Sequence, residues 1–388
     1  MSRRAASILV SSVSDASGQQ RPVTPAIVQT TTFVMDDALN EAMARGDYRS
    51  QFLYTRMGNP TVDALQRRVA ELHGAQDGVA TASGMGAVSA ALFGLTSPGT
   101  TVIADRQLYG VTAGFLRRYL EPAGRRVEFV DLGAAAELTA ALQRAPGATW
   151  VLGETISNPL VRVLDIAAVA ATAHAHGARL LVDNTFAGPL VCRPLEHGAD
   201  VVLESLSKSF AGHSDVHGGA LVGSRVDMEL CWQAMLHFGA CLDPHASWLI
   251  QRGSRTLKVR TDVACQNAGR VARFLESHPA VLRVWYPGLQ AASLPQGLLS
   301  DFGSMLSFSV IGGDERALRM LDALQVVVPA TSLGGVESLV SLPFNTSHRT
   351  PEAQAMIGLL PGTIRLSVGI EDVQDLMDDL DSALRTSA

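Results

Sequence analysis

Short apolar runs alternate with stretches of helical period through the middle of the chain. The runs are Gly78-Val79-Ala80-Thr81, Thr101-Val102-Ile103-Ala104, Val127-Glu128-Phe129-Val130, Trp150-Val151-Leu152-Gly153, Leu180-Leu181-Val182-Asp183 and Val201-Val202-Leu203. Together they are rich in β-branched residues, and helix-like segments separate them. This alternation predicts an α/β domain whose sheet is mostly parallel and covered on both faces. A helix is expected to open at Asn59-Pro60-Thr61, with Asn59 as N-cap, Pro60 at its first position and Val62, Leu65, Val69 and Leu72 on one face.

The pattern changes near residue 245. Residues 247–277 read as one long helix, bent at Gly253. Short strands follow at Leu282-Arg283-Val284-Trp285, Met305-Leu306-Ser307-Phe308-Ser309 and Ile364-Arg365-Leu366-Ser367, and a last helix over 372–384. This predicts a smaller C-terminal α+β domain. Residues 1 to about 50 are rich in Ser, Thr and Gln with little periodicity, and read as an extended arm that packs on another subunit. The expected organisation is an arm over 1–53, a large domain over 54–245 and a C-terminal domain over 246–388. No internal repeat or low-complexity segment interrupts it.

Composition narrows the class. A chain of 388 residues with 47% hydrophobic and 18% charged residues can bury a large core. A net charge of −6 without a basic block leaves no nucleic-acid footprint. Cys192, Cys231, Cys241 and Cys265 are scattered, which is neither a disulfide framework nor a zinc signature and suits a reducing cytosol. The N-terminal apolar run is short and broken by serines, unlike a signal peptide, and no run of about eighteen apolar residues is present to span a membrane.

The chemistry is expected at the carboxyl ends of the strands, where parallel α/β sheets bind ligands. Ser83-Gly84-Met85-Gly86 ends one strand and opens a helix, so its backbone N–H groups and dipole suit a phosphate. Asp183, with Asn184 and Thr185, ends a second strand. Lys208, flanked by Ser205 and Ser207, follows a third. A phosphate cradle, a carboxylate and a lysine are what pyridoxal phosphate requires: the lysine for an imine, the carboxylate to keep the pyridine nitrogen protonated. An opposite charge nearby holds such a carboxylate ionised by about 1–3 pKa units.

Taken with Tyr54-Thr55-Arg56-Met57-Gly58-Asn59-Pro60-Thr61, Leu108-Tyr109-Gly110, Glu154-Thr155-Ile156-Ser157-Asn158-Pro159, Asp183-Asn184-Thr185-Phe186, Gly212-His213-Ser214-Asp215-Val216, Tyr286-Pro287-Gly288-Leu289, Ser332-Leu333-Gly334-Gly335-Val336-Glu337-Ser338-Leu339 and Ile364-Arg365-Leu366-Ser367-Val368-Gly369-Ile370-Glu371-Asp372, the constellation resembles the Cys/Met-metabolism pyridoxal-phosphate enzymes. That family includes cystathionine γ-synthase, cystathionine γ-lyase, methionine γ-lyase and the homoserine-ester sulfhydrylases. The resemblance implies an aminotransferase-like (fold type I) large domain, a cytoplasmic enzyme and a homotetramer built as a dimer of catalytic dimers. It implies Lys208 as Schiff-base lysine and proton shuttle, and Asp183 at the pyridine nitrogen. Ser83, Gly84, Met85, Ser205 and Ser207 would lie at the phosphate, and Tyr54 and Arg56 would reach the phosphate of a neighbouring subunit. Tyr109 would stack on the ring and serve the leaving group. Asn158, Ser338 and Arg365 would hold the substrate α-carboxylate.

The same resemblance directs the substrate question to Val111, Gly114 and Glu337. Relatives that handle cystathionine commonly carry an arginine where Gly114 stands, which argues against a two-ended substrate. Methionine γ-lyases usually have cysteine at Val111, and Glu337 is similar to the cystathionine enzymes. Ser207 replaces the usual threonine and Ser209 the usual tyrosine. The expected reaction is γ-elimination from methionine or a similar thioether to 2-oxobutanoate, thiol and ammonia. The alternatives are a cystathionine γ-lyase or γ-synthase reaction, or γ-replacement on an O-acyl-homoserine. Competing readings are weaker. Gly84-Met85-Gly86 with Asp105 as a dinucleotide fingerprint lacks a third glycine. His213 and His217 around Asp215 read as loop residues rather than metal ligands, and no metal site is expected. A non-catalytic scaffold would not need Lys208, Tyr109 and Arg365 together.

Overall fold

The computed structural model describes residues 3–11, 23–49, 51–346 and 349–387. In chain order the strands are β1 (Asp77–Thr81), β2 (Thr101–Asp105), β3 (Arg126–Val130), β4 (Thr149–Glu154), β5 (Arg179–Asp183), β6 (Val201–Glu204), β7 (Gly219–Gly223), β8 (Val281–Trp285), β9 (Met305–Val310), β10 (Val328–Pro329), β11 (Leu339–Ser341) and β12 (Thr363–Ser367). The chain divides into two units, Met1–Ser97 with Asp200–Leu257 and Pro98–Ala199 with Lys258–Ala388.

In the first unit β7 lies between β1 and β6 and runs antiparallel to both. The helix Pro60–His73 opens as expected, with the Asn59 side chain accepting from Thr61 N–H, and it stops at left-handed Gly74. β7 is absent from the predicted runs because glycines bound it and dilute its apolar signal. Those glycines answer to packing: a Cβ on Gly219 would collide with the Ser83 carbonyl and lie 2.6 Å from Thr81 Oγ1. Beneath the Lys208 turn, His73 and Glu204 form a fully buried pair, Nε2 to Oε2 3.0 Å. Burial pushes the Glu204 carboxyl up, against the pull of His73.

The segment read as an arm holds more structure than its composition suggests. Helices Ala5–Val10 and Asp37–Ala44 form in it. Ile8 and Leu9 are buried, and Ser11 O accepts from buried Arg68 at 2.9 Å. Tertiary packing, which periodicity cannot register in so short a helix, makes the first of these. Residues 1, 2, 12–22 and 50 of the arm lie outside the described residues.

The single long helix expected over 247–277 is instead two, Pro244–Ser254 and Leu257–Ser277. Between them Arg255 N–H bonds to Arg252 O and Thr256 N–H to Gly253 O, at 3.3 and 3.2 Å, which tightens the last turn and ends the helix. Gly253 is there for contact: a Cβ would collide with the Ala211 carbonyl.

In the second unit β5, β4, β2 and β3 are neighbours in that order and all parallel. A five-stranded sheet follows, ordered β10-β11-β12-β9-β8. Its core gathers Leu306, Phe308, Val340, Ile364 and Leu366 with Val271 and Leu275 of the helix Leu257–Ser277 and Leu376 and Leu380 of the helix Val373–Thr386. The α/β class and the smaller second sheet therefore both stand. β10 and β11, at two and three residues, are too short to register as a period. Among the described residues no helix is long and apolar enough to cross a membrane.

Candidate active site

The first unit assembles an anion cradle beside a lysine. β1 ends at Thr81 and the chain turns through Ser83 into the helix Gly84–Leu95. Ser83 caps this helix, its Oγ accepting from Gly86 N–H at 3.0 Å and its carbonyl from Ala87 N–H at 3.1 Å. β6 ends at Glu204, and Ser205-Leu206-Ser207-Lys208 turns away from it, with Lys208 N–H donating to Ser205 O at 3.2 Å. Ser207 braces the turn against Gly218, accepting from its N–H at 2.9 Å. The two turns touch: a Cβ on Gly84 would sit 2.9 Å from Ser205 Cβ and 3.0 Å from Ser205 Oγ. The structure thus brings Ser83, Gly84, Ser205, Ser207 and Lys208 together, with Met85 in the first turn of the helix. Tyr54 and Arg56 are exposed and pair with each other, the guanidinium 5.8 Å from the ring centroid.

The second unit assembles a carboxylate cluster and a cationic clamp. Glu154 and Asp183 end neighbouring parallel strands and stand opposite in register. Asp183 accepts from Thr185 N–H at 2.9 Å, which orients its carboxyl. Asn184 is fully buried and donates to Cys192 O at 3.0 Å. Glu154 is buried as well. One of its oxygens accepts from Tyr109 N–H at 2.5 Å and the other from Asn158 N–H at 3.2 Å. Burial first, then the neighbouring Asp183, push its carboxyl well above the usual range. Asn158 Oδ1 in turn accepts from Arg365 Nη1 at 3.1 Å, and Arg365 Nη2 donates to Ser332 O at 3.1 Å. Burial lowers Arg365 to about 10, against the influence of Tyr109, so it stays cationic at neutral pH. Tyr109, Asn158, Asp183 and Arg365 are thereby linked through one residue that sequence reasoning assigned no role. An acid at the carboxyl end of a strand was the signal that could have found it.

Three expected specificity residues are placed as follows. Val111 is 51% exposed on the helix Gly110–Phe115, and Gly114 on the same helix faces open space where a side chain would go. Glu337 folds its carboxyl over Gly335. Ser338 immediately precedes β11. It is fully buried, and both its N–H and its hydroxyl donate to Glu371, at 2.5 and 2.8 Å.

The competing motifs dissolve into structure. Asp105 pairs with Arg162 at 3.2 Å and accepts from Gln107 N–H, leaving no dinucleotide role to assign. His213 Nδ1 bonds to Ala211 O at 2.7 Å. Among the described residues no group of three or more His, Cys, Asp or Glu could hold a metal ion.

Within the first unit, a serine-capped helix start against a glycine that excludes any Cβ, two serine hydroxyls and a lysine fit the phosphate and aldehyde of pyridoxal phosphate; within the second, a strand-end carboxylate has the chemistry to pair with a pyridine nitrogen. Comparison with known proteins agrees. The model for "Cys/Met metabolism PLP-dependent enzyme" matches residues 6–385. The L-methionine gamma-lyase of Pseudomonas putida is 39% identical over 373 residues, covering 94% of this chain and 93% of that one. The cystathionine beta-lyase of Lactococcus lactis is 39% identical over 341 residues, covering 86% and 88%. The crystal structure of cystathionine gamma synthase from Xanthomonas oryzae pv. oryzae superposes with a TM-score of 0.92 at 36% identity, covering 99% of this chain and 98% of that one. The chain belongs to the Cys/Met metabolism family of pyridoxal-phosphate-dependent enzymes, the lyases and synthases of sulfur amino-acid metabolism.

Proposed function

We propose that this enzyme is a carbon–sulfur lyase that carries out γ-elimination on methionine or a similar thioether, releasing 2-oxobutanoate, a thiol and ammonia with uptake of water. The observation that carries this reading is the surface beside Tyr109. Val111 is exposed there, Gly114 faces open space, and the helix Gly110–Phe115 offers no cation for a second carboxylate on the substrate. An apolar tail suits such a surface. Selectivity between tails is expected to be loose, since one methylene is worth about 1–3 kcal/mol in an apolar pocket.

Bound pyridoxal phosphate supplies the electron sink for carbanion chemistry at Cα. The chain's own residues do the rest. Ser83, Gly84 and Met85 at the helix start, with Ser205 and Ser207, hold the phosphate. Asp183 keeps a proton on the pyridine nitrogen. Arg365 and Asn158 orient the substrate α-carboxylate, Arg365 as the bidentate partner. Lys208 Nζ takes the proton from Cα and moves protons along the substrate, and Tyr109 Oη delivers one to the departing sulfur. Proton placement of this kind contributes about 10²–10⁴-fold. Tyr54 and Arg56 serve the phosphate of a neighbouring subunit in a cytoplasmic homotetramer. In this reading the arm over 1–53 contacts that neighbour, the domain over 54–245 holds the cofactor and 246–388 completes the enzyme.

Glu337 and the likeness to a cystathionine gamma synthase favour a second reading, γ-replacement on an activated homoserine ester. A panel of sulfur amino acids and homoserine esters, each with and without a thiol, separates the two. Turnover of L-methionine without added nucleophile supports elimination. Turnover confined to an ester plus thiol, or to cystathionine, removes it.

A further inference from the structure

The loop that carries Glu337 and Ser338 is laced to the end of β12 and the residues after it. Arg365 Nη2 donates to Ser332 O at 3.1 Å, Gly334 N–H to Ser367 Oγ at 2.9 Å and Ile370 N–H to Val336 O at 2.9 Å. The last tie is Glu371. One carboxylate oxygen accepts from Ser338 N–H and the other from Ser338 Oγ, while Gly369 N–H donates to that same Oγ at 2.8 Å. Ser338 has one backbone and one hydroxyl donor, and Glu371 takes both. The fold makes room for this. A Cβ on Gly369 would lie 2.5 Å from Glu371 Oε2 and 2.7 Å from the Glu337 carbonyl carbon, so only glycine lets the carboxylate fold back onto Ser338. Behind it Asn267 Nδ2 donates to the carbonyls of Gly369 and Glu371, at 3.2 and 2.9 Å. The loop resists this arrangement at Ser332, which is held at φ +91°, a conformation that costs a non-glycine residue about 1–3 kcal/mol.

We propose that Glu371 is a positioning residue for substrate selection, its carboxylate latching Ser338 to the end of β12 and so fixing where Glu337 and the Ser332 carbonyl stand relative to Arg365. This rests on the reading of Arg365 as the holder of the substrate α-carboxylate. Glu371 touches no reacting atom in this role; it acts through Ser338. Loss of the latch frees the loop and blunts both the grip on the α-carboxylate and the choice of side chain, while the proton-transfer groups are left in place.

The test compares Glu371→Ala, Glu371→Gln, Ser338→Ala and the double variant as cofactor-loaded full chains, with KM and kcat measured on the best substrate of the panel and on cystathionine. Glu371→Ala is expected to raise KM about tenfold with kcat within about threefold, the signature of lost binding rather than lost chemistry, and to change the ratio of kcat/KM between the two substrates. Glu371→Gln keeps an acceptor for Ser338 N–H and a donor toward its Oγ, and restores most of the lost KM. Ser338→Ala adds little to Glu371→Ala in the double variant, because both act through one contact. A fall in kcat or in melting temperature with KM and selectivity unchanged would overturn the proposal, as would a Gln variant no better than Ala or full additivity in the double. If methionine is not turned over at all, the γ-elimination reading fails, and the same comparison on whichever substrate is used still decides the role of Glu371.

Discussion

Replacing Glu154 by glutamine tests whether one buried acid holds the reactive end of the second unit together. Its two oxygens receive the Tyr109 and Asn158 N–H groups at 2.5 and 3.2 Å. Glutamine keeps one acceptor and turns an N–H₂ toward the other N–H, so one buried donor loses its partner. That costs about 1–3 kcal/mol of stability, and alanine, which strands both donors, costs roughly twice as much. The pH dependence has a definite sign. The folded-state pKa of Glu154 lies well above its ordinary value of 4.5, because of burial and then Asp183. The folded protein therefore holds more protons than the unfolded chain above that ordinary value. The contribution of Glu154 to stability is fully present below it and is lost as pH rises through the raised value. Glutamine cannot ionise, so the gap between wild type and Glu154→Gln narrows as pH rises. Urea unfolding across about pH 5 to 8 measures this. Turnover should fall as well, since displacing Tyr109 and Asn158 by about 1 Å can cost about a hundredfold. Equal stability at every pH with unchanged turnover would refute the assignment of Glu154 as the residue linking these groups.

Other outcomes follow from the same geometry. Gly84→Ala drives a Cβ to within 2.9 Å of Ser205 Cβ and pushes the helix start off the Lys208 turn, so cofactor titration should show an affinity at least about tenfold weaker; unchanged affinity would contradict the cradle. Arg365→Lys keeps the charge but not the fork that spans Asn158 and Ser332, and should lower kcat/KM by about a hundredfold. His73→Ala leaves the Glu204 carboxyl buried without its ring partner and should cost about 3 kcal/mol in urea unfolding, while Glu204→Gln, which keeps a hydrogen bond to the ring, should cost about 1 kcal/mol or less.

The strand ends were the most legible part of the chain. Lys208, Asp183 and Ser83-Gly84 announce themselves because each follows a short β-branched run, and ligand chemistry gathers where such runs stop. The cap at Asn59 and the last helix, Val373–Thr386 with Asp372 as its N-cap, could be read from local rules within about two residues. What stayed hidden depends on partners far along the chain. β7 looks like a glycine-rich loop until Ser83 is packed against Gly219. The break after Ser254 falls between two good helical patterns and shows only once Gly253 meets Ala211. The tie between Ser338 and Glu371, thirty-three positions on, has no local signal in the sequence. Glu154 looks like one more strand-end acid until Tyr109 and Asn158 converge on it.

The proposed reaction is elimination from a thioether beside Gly110–Phe115, a helix that itself carries no cation for a second carboxylate. The most direct test is the stoichiometry of products from L-methionine in the cofactor-loaded enzyme without added thiol. Equal amounts of 2-oxobutanoate, methanethiol and ammonia are predicted. Unchanged methionine, with 2-oxo acid or new thioether formed only from cystathionine or from a homoserine ester plus thiol, would contradict it.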